Sequence, residues 1–125
     1  SAHPLEHALS AYHEKLPHGA GLIMIAKAYY GYFVKKHACD DRFIEMAQLM
    51  GMKDADKAED FLTALSKMME DCGVADLKMS DYGISPDEFP KMTQNARDTL
   101  GVNFLNDLCQ LSDEDCVAIY QESYR

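Results

Sequence analysis

Apolar residues recur at helical spacing along almost the whole chain, and no stretch shows the strict alternation that marks a half-buried strand. The clearest stripe is formed by Ala58, Phe61, Leu62, Leu65, Met68, Met69 and Cys72. Intervals of three and four residues place these side chains on one helix face. With 125 residues, 47% of them hydrophobic, the chain can bury one core. We therefore predict a single all-α domain over residues 1–125, a compact bundle of about six helices.

Residues that start and stop helices divide the pattern into six segments. Pro17 marks a boundary because proline lacks an amide proton and restricts the residue before it. Ser85 and Ser112 are typical N-caps. The predicted helices run from Ala2 to about Tyr12, from about His18 to Lys36, over "DDRFIEMAQLMG" at 40–51, over the stripe given above, from "SPDEFP" at 85–90, and over "SDEDCVAIYQESYR" at 112–125.

Charge and composition exclude several classes of function. The net charge is −9, with 21 acidic against 12 basic residues, so neither a nucleic-acid surface nor an anionic membrane surface is predicted. The start "SAHPLEHA" does not resemble a signal peptide, and the longest apolar run, "GAGLIMIA", is too short to cross a bilayer. The four cysteines lack the C-x-x-C spacing, and their low density makes a disulfide framework unlikely, which favours reduced thiols. We expect a cytoplasmic protein.

The stretch "HPLEHALSAYHEKLPHG", residues 3–19, holds four of the five histidines. His3 and His7 are four residues apart, so their rings lie on one face of the first predicted helix. His18 lies at the start of the second. If the two helices pack antiparallel, the short turn between them can bring His3 or His7 towards His18. The residues alone leave two interpretations open, a divalent metal site and a polar helix face followed by a turn.

No carboxylate in this chain is an obvious further ligand, although a catalytic divalent site usually has three or four protein ligands. Glu6 is expected to point away from His3 and His7. Glu14 shares their face but lies two turns beyond His7, near the end of the helix, and is a weak candidate.

The stretch "HPLEHALSAYHEKLPHGAGLIM" resembles the metal-binding signature of the iron-containing, group III alcohol dehydrogenases. That signature has a histidine, three residues, a second histidine, a spacer, and then Pro-His-Gly before a long buried helix. The later segments "DRFIEMAQLMG", "AEDFLTALSKMMEDCGVADLKMSDYGISPDEFPKMTQNARDT" and "LSDEDCVAIYQESY" are similar to the helical C-terminal half of these enzymes, so the resemblance covers essentially the whole chain.

The resemblance implies a role for each signature histidine. His3 and His18 would be metal ligands, and His7 would lie beside the nicotinamide and the substrate as a proton relay or substrate contact. His13 and His37 match no functional position and are expected to be surface residues. The metal would be Fe²⁺, or Zn²⁺ as in some members. It would act as a Lewis acid on a primary alcohol or an aldehyde during hydride transfer to or from NAD(P).

The resemblance also implies a missing partner for this chain. In these enzymes an N-terminal α/β domain binds the dinucleotide and supplies an aspartate and a histidine to the metal. No glycine-rich phosphate loop follows a strand here. The chain is therefore expected to be a C-terminal fragment, inactive alone, of a parent enzyme that forms homo-oligomers.

Two other interpretations remain open from the sequence. The first is a zinc-dependent relative, a glycerol dehydrogenase or a dehydroquinate-synthase-like enzyme, whose signature histidines look alike. The second is an acidic helical interaction module without chemistry, in which the histidines form an exposed polar face.

Overall fold

A computed structural model describes all 125 residues and contains six α-helices and no strands. The helices are α1 (Ala2–Tyr12), α2 (His18–Lys35), α3 (Asp40–Leu49), α4 (Glu59–Asp71), α5 (Phe89–Leu100) and α6 (Asp113–Ser123). Short 3₁₀ turns lie at Met79–Tyr82, Pro86–Glu88 and Gly101–Asn106. The prediction of an all-α bundle of about six helices is confirmed.

The helix α2 lies at the centre of the bundle and packs against α1, α4 and α6. None of its residues from position 20 to position 26 is exposed, and Lys27 is the next exposed residue. This part of α2 is apolar on all sides and must therefore be covered on all sides, which explains the central place of the helix. The helix α1 packs against both α2 and α5, so it is held between two neighbours.

One cluster of 26 buried hydrophobic residues runs through all six helices. At the end formed by α2, α3 and α4, the rings of Tyr30, Phe43 and Phe61 pack together. The Tyr30 and Phe61 centroids are 5.3 Å apart with perpendicular planes, an edge-to-face arrangement that aromatic rings favour. These contacts fix α3 and α4 against the central helix.

Side-chain caps begin the later helices where the sequence indicates. The Ser112 hydroxyl accepts a hydrogen bond from the Asp115 amide at 3.1 Å, and the Asp115 carboxylate accepts one from the Ser112 amide at 2.9 Å. This reciprocal pair is a capping box, which satisfies two amide groups that the first turn leaves without partners. Ser85 and Glu88 form a second box, at the 3₁₀ turn that leads into α5.

The four cysteines are free, as expected, and range from the exposed Cys72 to the buried Cys116. No helix is both long enough and apolar enough to cross a membrane.

Candidate metal centre

The helices α1 and α2 run antiparallel, as the metal interpretation requires. Gly21, near the start of α2, lies against Glu6 in the middle of α1. Further along α2, the hydroxyl oxygen of Tyr29 lies 3.1 Å from the amino nitrogen of Ser1, at the beginning of α1. Leu16, in the turn between the helices, is buried. Its burial fixes the position of the chain just before Pro17 and His18, the first residue of α2.

The imidazole rings of His3, His7 and His18 lie together at the surface. The ring centroids of His3 and His18 are 5.3 Å apart, those of His7 and His18 are 5.1 Å apart, and those of His3 and His7 are 6.4 Å apart. All three residues are exposed. A polar face on α1 alone would include His3 and His7 but not His18, which belongs to α2. The approach of all three rings therefore favours a metal site over a simple polar face.

A buried carboxylate lies directly beneath this cluster. Glu6 has no exposed surface, and its Oε2 atom contacts Nδ1 of His18. The hydroxyl of Ser10, one turn further along α1, donates to Oε1 of Glu6. A buried carboxylate is costly unless hydrogen bonds compensate for the water it loses, and here both oxygens have a partner.

The cluster has a donor set that suits a divalent transition metal. One ligand atom from each of Glu6, His7 and His18 lies within 4.8 Å of the other two. His3 is outside this tighter group, although its ring is close to both of the other rings. Imidazole and carboxylate ligands suit iron and zinc alike, and the open side of the cluster leaves room for further ligands.

The prediction that Glu6 points away from the histidines is wrong. On α1, Glu6 lies between the apolar stripe and the histidine face, a place from which its side chain can reach α2. A Cβ atom at Gly21 would come within 2.6 Å of Oε1 of Glu6. Because residue 21 has no side chain, α2 leaves the space that this carboxylate occupies. Glu14 is exposed and lies beyond the end of α1.

One of the two remaining histidines also differs from expectation. His13 is not a surface residue, since only 15% of its side chain is exposed and its Nε2 lies 3.1 Å from Oε2 of Glu88. It is partly covered because Glu88, at the 3₁₀ turn before α5, lies against the turn after α1. His37 is at the surface as predicted, and its hydrogen bond to Asp40 raises the pKa of its imidazole.

A large groove begins beside His3. It encloses about 890 Å³ and continues between α2 and α3 along mostly apolar side chains, among them Leu22, Ala26, Phe43 and Met46. Through His3 the cluster adjoins an apolar groove, an arrangement that places metal-ligating groups beside space for a small organic molecule.

Comparison with solved structures finds the same fold in alcohol dehydrogenases. An archaeal halo-thermophilic enzyme from a Red Sea brine pool matches with a TM-score of 0.87 at 21% identity. A 1,3-propanediol oxidoreductase matches with a TM-score of 0.85 at 21% identity, and an alcohol dehydrogenase from Oenococcus oeni with 0.82 at 28% identity. Each match covers 98% of this chain and 32% of the other. The first two matches are below 25% identity and therefore show only that the fold is shared.

The family profile for the C-terminal part of Fe-containing alcohol dehydrogenases matches residues 1–124. The chain therefore belongs to the Fe-containing alcohol dehydrogenase family and corresponds to its C-terminal region. It spans only 32% of the length of the solved enzymes given above. Comparison with curated protein sequences gives no significant match.

Proposed function

We propose that this chain forms the metal-binding C-terminal part of an iron-dependent, NAD(P)-dependent alcohol dehydrogenase that interconverts primary alcohols and aldehydes. The observation that supports this most is the convergence of His3, His7 and His18, from two helices, above the buried Glu6. The family to which the chain belongs supplies the reaction class.

In this proposal, His3 and His18 hold the metal and His7 serves the reaction itself. When bound there, Fe²⁺ or Zn²⁺ would supply a Lewis acid for the oxygen of the alcohol or aldehyde. His7 is exposed beside His18 and can hold or pass on a proton at a ring nitrogen. The apolar groove beside His3 excludes water and accepts the carbon chain of the substrate.

The proposal also includes a second part of the enzyme. An N-terminal domain would bind NAD(P) and supply the remaining metal ligands, because His3 and His18 alone leave a catalytic site incomplete. The isolated chain is then a fragment without hydride-transfer activity. The intact enzyme is expected to be a cytoplasmic homo-oligomer that binds neither nucleic acid nor membranes.

Two alternatives are less well supported. A zinc-dependent glycerol dehydrogenase or dehydroquinate-synthase-like enzyme could present similar histidines, but the matching family profile is that of Fe-containing alcohol dehydrogenases. A non-catalytic interaction module does not account for imidazoles that converge from two helices or for a buried carboxylate beneath them.

The test is metal retention in the intact enzyme that, on this proposal, contains the chain. His18→Ala is expected to abolish both bound metal and alcohol oxidation with NAD(P). The matched control is His37→Asn, which removes an exposed imidazole from another part of the bundle and keeps a residue that tolerates the positive φ of 51° at that position. Metal content equal to that of the wild type in His18→Ala would contradict the assignment.

A further inference from the structure

The contact between Glu6 and His18 has a consequence for the chemistry of the imidazole. A neutral imidazole carries one proton, and the nitrogen without it keeps the lone pair that binds a metal. An ionised carboxylate can only accept hydrogen bonds, so Nδ1 of His18 must be the donor to Oε2 of Glu6. The lone pair then belongs to Nε2. The hydrogen bond of His18 is made by Nδ1 and not by Nε2, and 47% of the side chain is exposed, so Nε2 is available to bind a ligand.

From this geometry, and resting on the proposed metal site, we propose that Glu6 is a positioning residue for His18. It holds the proton of the imidazole at Nδ1, fixes the plane of the ring, and presents Nε2 to the metal. Carboxylates that accept from the second nitrogen of a ligating histidine act in this way, and their loss typically weakens metal binding by about 10-fold to 100-fold.

The carboxylate is itself held in place from the other side. Ser10 donates to Oε1, so the two oxygens of Glu6 have different partners and the group cannot rotate without losing one of them. Because Glu6 has no exposed surface, water cannot replace a lost partner. The orientation of the carboxylate is therefore set by the fold.

Gly21 is the second, independent observation. A Cβ atom at this position would lie 2.6 Å from Oε1 and 2.7 Å from Cγ of Glu6, closer than non-bonded atoms approach. Glu6 can occupy its place only if residue 21 has no side chain. Gly21→Ala is consequently a way to displace the carboxylate without changing its chemistry.

The first experiment observes the tautomer of His18 directly in the metal-free full chain. Long-range ¹H–¹⁵N NMR spectra are recorded at about pH 8.5, where imidazoles are neutral. The wild type is expected to show the proton on Nδ1. Glu6→Met and Gly21→Ala should shift His18 towards the Nε2–H form that free imidazoles favour, whereas Glu6→Gln, which still offers an acceptor oxygen, should retain the Nδ1–H form.

The matched control is Gly31→Ala on the same helix. A Cβ atom there would meet only Cδ1 of Leu62, at 3.8 Å, an ordinary contact. It should leave the His18 signals unchanged, so an effect of Gly21→Ala is not a general effect of adding a methyl group to α2. If His18 has the same tautomer in the wild type, Glu6→Met and Gly21→Ala, the inference is overturned. Should Glu6→Met fail to fold, Gly21→Ala and Glu6→Gln still decide the question.

The second experiment measures the Zn²⁺ dissociation constant of the intact enzyme by competition with a chelator. Glu6→Met and Gly21→Ala are expected to raise it about 10-fold to 100-fold, and Gly31→Ala to leave it unchanged. Wild-type affinity in both variants would overturn the inference. A wild-type enzyme that binds no divalent metal would instead contradict the proposed function, and the NMR result would show independently whether Glu6 orients the ring.

Discussion

The hydroxyl of Tyr120, in the last helix, donates a hydrogen bond of 2.6 Å to the backbone carbonyl of Leu5, in the first helix. Both residues have no exposed surface, and the Tyr120 ring stacks on Phe89 with the centroids 5.3 Å apart. Because Leu5 lies between His3 and His7 on α1, the end of the chain helps to fix the helix that carries two of the clustered imidazoles.

Removing this hydroxyl should destabilise the fold. Tyr120→Phe keeps the ring and loses one hydrogen bond, so the free energy of unfolding is expected to fall by about 1 kcal/mol, measured by urea denaturation. Tyr124→Phe is the matched control, because Tyr124 packs against the same Phe89 ring and is only partly buried. A loss in Tyr120→Phe no greater than the loss in the control would show that the buried hydrogen bond contributes little.

The capping box at the start of α6 predicts a loss of stability that depends on the residue placed at position 112. Ser112→Ala removes the acceptor for the Asp115 amide and should lower the free energy of unfolding by about 1 kcal/mol. Ser112→Asp offers an oxygen in the same place and should retain most of the stability. Equal losses in the two variants would argue against the cap as the cause.

The His7 side chain allows a clear separation of roles in the intact enzyme. If it serves the reaction and not the metal, His7→Gln should keep the metal and lower kcat by about 100-fold to 10,000-fold, with the loss of one limb of the pH profile. Metal analysis beside steady-state kinetics measures both quantities. Loss of the metal in His7→Gln would make His7 a ligand, consistent with the tight group that its ring forms with Glu6 and His18.

The buried thiol of Cys116 predicts a dependence of stability on alkaline pH. Burial raises its pKa from the ordinary 9.0 to about 11. The unfolded thiol ionises first as the pH rises, so the unfolded state holds fewer protons and is favoured. Between pH 8 and pH 10 this should remove about 1 kcal/mol from the free energy of unfolding.

Two cysteine variants test whether the Cys116 thiol causes this loss of stability at alkaline pH. Denaturant titrations of Cys116→Ala should show a smaller decrease over that pH range, whereas Cys72→Ala, at an exposed position, should keep the decrease of the wild type. If the decrease is the same in all three proteins, another group is responsible.

The helices and their order could be predicted because each depends on residues close together in the chain. The stripe that includes Phe61 and Leu65 shows one helix face, and Ser112 and Pro17 mark boundaries through their own backbone chemistry. The approach of His3 or His7 to His18 could be expected on the condition that α1 and α2 pack antiparallel. Periodicity could not decide which rings would come closest, because that depends on the turn between the helices.

Glu6 and His13 could not be placed correctly because their partners lie on other elements. The pattern on α1 alone gives a carboxylate beside the apolar stripe, and solvent is the usual place for it. Its burial requires a gap on the facing helix, which Gly21 provides. His13 is covered because Glu88 reaches it from the start of α5. A glycine on α2 facing a carboxylate on α1 is the one sequence signal that could have indicated the buried site.

The steric relation between residues 6 and 21 has a consequence for how related chains vary. A glutamate at position 6 fills the volume that a side chain at position 21 would need. In an alignment of relatives, the two positions should therefore change together, with glutamate at the first accompanied by glycine at the second. Chains that have alanine or a larger residue at position 21 should carry a shorter side chain at position 6, and their signature histidine should be oriented by a different acceptor.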